Sequence, residues 1–70
     1  MRYTIVIEKA KSNFSAYVPD LPGCIATGES IEEVERLIRE AIVLHIEGMR
    51  EDSVPPPIPQ SRVEYMEIAA

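Results

Sequence analysis

Seventy residues, 46% of them apolar, with one cysteine and a net charge of −5, make a single small domain spanning 1–70. A core of this size supplies a margin of only about 3–5 kcal/mol. Cys24 alone excludes an internal disulfide, so a partner chain is the expected reinforcement and the protein is expected to be a homodimer or higher homo-oligomer. No apolar run reaches the roughly 18–20 residues that span a bilayer. The alternating start Met1–Glu8 is no signal peptide, so the expected compartment is the cytoplasm, with no membrane partner.

Residues 2–8 alternate, with Tyr3, Ile5 and Ile7 on one side and Thr4, Val6 and Glu8 on the other. That pattern predicts a half-buried strand. Lys9–Asn13 is a polar hairpin loop. Phe14, Ala16 and Val18 alternate with Ser15 and Tyr17 in a second strand, which Pro19 and Pro22 end because proline donates no ladder hydrogen bond. Gly23 closes the turn, and Cys24–Thr27 forms a short third strand. A helix then starts at Ser30, a good N-cap, with Glu33 three residues on completing a capping box.

Val34, Leu37, Ile38, Ala41 and His45 fall at helical spacing and define its buried stripe. Glu32–Arg36 and Glu35–Arg39 are i,i+4 pairs in the favourable order. From Ala41 to Ile46 the helix is apolar nearly all round. One sheet covers only one side, so Ile42, Val43 and Ile46 are candidates for an oligomer interface. The helix is expected to end near Met49 or Arg50, beside Gly48. Pro55–Pro57 and Pro59 stiffen a return loop, and Arg62–Ile68 alternates as a fourth strand lying parallel to the opening meander. The fold class is therefore α+β, ordered β-β-β-α-β. A mixed three- to four-stranded sheet carries one long helix packed on one face.

Catalytic groups are sparse. His45 sits on the apolar helix stripe without triad-like neighbours, which makes it structural or interfacial. Cys24 follows a glycine turn and reads as a small buried hydrophobe. Cys24 and His45 are the only cysteine and histidine, so no Cys and His set has metal-ligand spacing, and the helical acids are interleaved with Arg36 and Arg39. A metal-dependent hydrolase using Glu8 and Asp20 would need several carboxylates converging from different elements. Asp20, between two prolines, is suited instead to capping the turn backbone. Gly23 and Gly28 are isolated and form no phosphate loop. No catalytic, cofactor or metal site is expected. Residues 29–52 carry eight acids against three arginines, which disfavours direct nucleic-acid binding. The same acids suit a solvated helix face or a surface for a basic protein.

The run Tyr17-Val18-Pro19-Asp20-Leu21-Pro22-Gly23-Cys24, followed by Thr27-Gly28-Glu29-Ser30 and then by Glu32-Glu33 and Glu40-Ala41-Ile42, resembles the N-terminal domain of HicB-family antitoxins. The similarity covers residues 1 to about 50 well and the remainder loosely. The resemblance implies a partial ribonuclease-H-like sheet with one long helix, without nuclease activity. It implies a partner too: a small, basic, RNA-cleaving HicA-type toxin of a type II toxin–antitoxin system, bound so that its catalytic histidine is covered. The candidate contacts are Asp20, Leu21, Pro22 and Gly23 of the turn and Glu29, Glu33 and Glu40 of the helix. Typical members carry a C-terminal operator-binding domain, which this sequence is expected to lack, so no DNA binding by this chain alone is expected. The alternative is an orphan HicB-like module that serves as an oligomeric structural or adaptor domain.

Overall fold

A computed structural model describes residues 1–69; Ala70, the last residue of the expected domain, lies outside them. Strands β1 (Val6–Lys9), β2 (Phe14–Tyr17) and β3 (Ile25–Gly28) are followed by helix α1 (Ile31–Glu51). The sheet is antiparallel throughout, in the order β1-β2-β3. Register follows the alternation. Ile7 pairs with Ala16 and Ala16 with Ala26, all on the side facing the helix, where Tyr3, Ile5 and Phe14 also pack. The opposite face is uncovered and carries the cross-strand row Val6–Tyr17–Ile25.

The expected fourth strand is absent. Residues 62–68 take no strand pairing, so the sheet is three-stranded and not mixed. The pattern there changes phase between Tyr65 and Met66, so apolar side chains fall on both faces. A strand of that kind needs cover on both sides. The core between sheet and helix holds Ala16, Val18, Leu21, Cys24, Val34 and Ile38. Helix α1 lies over β3 and β2 and leaves the β1 side of the sheet face less covered.

The helix start is specified by its sequence. Ser30 is extended (φ −140, ψ 163), and its Oγ accepts from the Glu33 amide at 3.1 Å. The Glu33 carboxylate accepts in return from the amide of Glu29 at 3.0 Å, one residue earlier than the usual box. A Cβ on Gly28 would stand 3.1 Å from the Val34 amide nitrogen, so only glycine lets β3 approach the helix start this closely. Among the described residues the ion pair that closes is Arg62–Glu64 at 3.1 Å. The exposed Glu32–Arg36 and Glu35–Arg39 pairs stay open, because such pairs gain too little to offset side-chain entropy.

The helix runs past Gly48 to Glu51 and ends in a Schellman arrangement. The Val54 amide donates to Met49 O at 2.8 Å and the Ser53 amide to Arg50 O at 3.0 Å. Ser53 therefore takes the left-handed conformation (φ 58) that glycine usually fills. Ser53→Gly is expected to raise stability by about 0.5–1 kcal/mol, or several degrees in Tm for a domain this small. An unchanged or lower melting temperature by circular dichroism would refute this.

Candidate functional site

The segment between β2 and β3 folds as two consecutive turns. The Leu21 amide donates to Val18 O at 3.0 Å, closing the first around Pro19 and Asp20. The Cys24 amide donates to Leu21 O at 3.0 Å, closing the second around Pro22 and Gly23. Proline followed by a residue at φ +85 is the type II pattern, and Gly23 fills that position at no steric cost. The two turns drive Leu21 inward to 1% exposure, between sheet and helix. They also aim Asp20 sideways at the later part of the chain.

Asp20 is the centre of a clamp. One carboxylate oxygen accepts from the amides of Gln60 and Ser61, each at 3.1 Å, and the other accepts from the Ser61 hydroxyl at 3.1 Å. Two side chains from the start of the chain hold the same segment. Tyr3 Oη donates to Pro57 O at 2.6 Å, and Thr4 Oγ1 donates to Ser61 O at 2.9 Å. The proline-rich return loop is thus strapped to the β2–β3 turn and to the residues preceding β1.

The Ser61 amide, together with that of Gln60 and the Ser61 hydroxyl, holds the Asp20 carboxyl below the ordinary carboxylate range, against an opposing effect of desolvation. A carboxyl lowered in the folded state contributes stability above its unfolded pKa of about 3.9. That contribution is lost as pH falls through the lower folded value. The Asp20 attachment of the strap is therefore expected to hold at neutral pH and to let go only as pH falls below the ordinary carboxylate range. Asp20→Ala is expected to release it at every pH. Amide chemical shifts of Gln60 and Ser61 report this directly; shifts that ignore both the acid limb and the substitution would refute the clamp.

The other expected contact residues divide. Leu21 is withdrawn into the core, and the Glu33 carboxylate is engaged in capping, although both belong to the right segments. Pro22, Gly23, Glu29 and Glu40 are exposed. At the helix end Ile42 and Ile46 are half-buried and Val43 is exposed. One feature escaped the sequence reading. Glu40, Leu44, Glu47 and Glu51 follow one another at i, i+4, i+7 and i+11 and form a single exposed ridge. Leu44, at 67% exposure, is an uncovered aliphatic side chain set among three acids. The apolar stretch Ala41–Ile46 pointed to a second contact, but among its residues only Ile42, Val43 and Ile46 were candidates for it.

Cys24 is buried, and that burial pushes its thiol pKa up, away from the thiolate form that a nucleophile needs. Among the described residues no three His, Cys, Asp or Glu side chains converge as metal ligands, and no helix is long and apolar enough to cross a membrane. The distinctive chemistry is on the surface, in a strapped turn and an acidic ridge. These features define a small α+β module of three antiparallel strands and one long helix.

Comparison with known proteins places the module. Residues 3–69 match the HicB-like antitoxin family of bacterial toxin–antitoxin systems, and the chain belongs to that family. It is 46% identical over 52 residues to a 14.9 kDa protein from the rep-hol intergenic region of Haemophilus phage HP1; the match takes in 74% of this chain but only 39% of the phage protein. A UPF0150 protein of Helicobacter pylori is 41% identical over 77% of this chain and 75% of its own length. A UPF0150 protein of Thermoplasma acidophilum aligns over the whole of both chains at 32% identity. Among solved structures, a chain of a HicA3 and HicB3 toxin-antitoxin complex superposes with a TM-score of 0.71 at 32% identity, covering 84% of this chain and 70% of that one.

Proposed function

We propose that this chain is a non-catalytic antitoxin that binds a small basic HicA-type ribonuclease in the cytoplasm and masks its RNA-cleaving site. The observation that carries this reading is the close likeness, in fold and sequence, to a chain from a toxin–antitoxin complex. The ridge Glu40–Glu51 supplies a physical reason for the choice of partner. Its acids complement a basic surface, and Leu44 offers an apolar contact at their centre. The exposed turn residues Pro22 and Gly23, with Glu29 at the helix start, are further candidate contacts. The β-β-β-α order serves here as a partial ribonuclease-H-like scaffold. The chain works as a homo-oligomer joined near the helix end at Ile42, Val43 and Ile46.

The test is co-expression with a HicA-type toxin, followed by purification and an RNA-cleavage assay. A stable complex that does not cleave RNA, and that regains cleavage when this chain is removed, is the expected result. Free toxin activity in the presence of excess antitoxin would sink the proposal.

A further inference from the structure

Residues 62–69 and a groove on the body of the same molecule are complementary but apart. Beyond the Asp20 clamp at Ser61, Val63 still lies beside Arg2–Ile5, and the segment then leaves the fold; Tyr65 is 93% and Met66 80% exposed, with Ile68 similar. Its departure shows in the dimensions. The radius of gyration is 13.8 Å and the longest extent 48 Å, whereas a compact chain of this length has a radius of about 11 Å. The groove, of about 400 Å³, lies where α1 leaves the β1 side of the sheet less covered. Ile5, Ile38, Ile42 and Val43 line it together with Arg2, Arg39 and Glu35.

We infer that residues 62–69 of one copy dock in this groove on a second copy, and reciprocally, making a strand-exchanged homodimer. This rests on the homo-oligomer part of the reading above and is independent of the toxin. Tyr65, Met66 and Ile68 stand exposed and off the groove of their own chain, and three observations fit a second copy as the occupant. The apolar arm residues Tyr65, Met66 and Ile68 match the aliphatic side chains of the groove. The acids between and beside them, Glu64 and Glu67, match Arg2 and Arg39, which outnumber the one acid of the lining, Glu35. The arm also has the reach: eight extended residues span up to about 26 Å, against roughly 12 Å for the stretch of helix from Glu35 to Val43. Because each chain carries both arm and groove, the contact closes with two-fold symmetry and leaves no unpaired surface to propagate. The Arg62–Glu64 pair within the arm is exposed on both sides and yields at little cost.

The experiment is sedimentation equilibrium of the full chain and three variants, with circular dichroism to confirm folding. The wild type is expected to be a dimer. Tyr65→Asp with Met66→Asp alters side chains that touch nothing within the chain and is expected to weaken dimerisation about tenfold or more. An arm variant, Glu64→Arg with Glu67→Arg, and a groove variant, Arg2→Glu with Arg39→Glu, are each expected to be monomeric alone, because like charges then meet in both docking sites. Their equimolar mixture is expected to dimerise, since each arm then finds an opposite-charged groove. A monomeric wild type overturns both the arm exchange and the homo-oligomer. A dimer that survives the Tyr65 and Met66 substitutions, or the arm or groove variant alone, overturns the arm exchange only, as does a mixture that stays monomeric.

Discussion

Ile38→Ala is expected to remove most of the folding margin. Ile38 is 1% exposed and, with Val34, supplies the centre of the helix face that closes the core. Truncating a buried isoleucine to alanine removes its transfer free energy and leaves a cavity, together worth about 2–5 kcal/mol. A domain this small holds about 3–5 kcal/mol in total. The melting temperature should therefore fall by about 10 °C or more, and the variant should be partly unfolded at body temperature. Leu44→Ala is the matched control on the same helix. Leu44 is 67% exposed, and its truncation should change stability by less than about 0.5 kcal/mol. If both variants melt within a few degrees of the wild type, the helix is not held by the core described here.

The contrast between Ile38 and Leu44 also shows what could be read from the sequence. Helical spacing identified Val34 and Ile38 as buried because the stripe there is narrow and flanked by charges. From Ala41 onward apolar residues occupy every face, and periodicity alone does not separate the side toward the sheet from the ridge that carries Leu44. The helix start was legible because its signals are local: Ser30 and Glu33 meet across three residues. Its end, expected near Met49 or Arg50, falls one residue on at Glu51; the cap itself was not legible, because the left-handed position fell to Ser53, whose side chain carries no such signal. The turn at Pro19–Gly23 was visible in its composition, but the role of Asp20 was not, because its partners lie 40 and 41 residues away. The apolar content of residues 62–68 read as a strand of the same sheet. Those residues pair with no strand of their own chain.

Reversing the ridge charge is expected to produce the largest effect on toxin binding. Glu40→Lys with Glu47→Lys turns two exposed acids that face away from the core into two bases. Neither residue caps the helix or joins an ion pair among the described residues, so folding should be nearly unchanged. Against a basic partner each attractive contact becomes repulsive. Together they should weaken binding by about 10- to 100-fold, or roughly 1.4–2.8 kcal/mol. Rim charges act mainly on encounter, so most of the loss should appear in the association rate. Added salt should shrink the gap between variant and wild type, because the Debye length shortens from about 10 Å at 0.1 M to about 3 Å at 1 M. Glu29→Lys with Glu33→Lys tests the neighbouring positions less cleanly, since the Glu33 carboxylate also holds the Glu29 amide. Association rates by stopped-flow or surface plasmon resonance across a salt series decide the matter. If the double variant binds as fast as the wild type at low salt, the ridge does not meet the toxin, and the complex must use the turn or the uncovered sheet row Val6–Tyr17–Ile25.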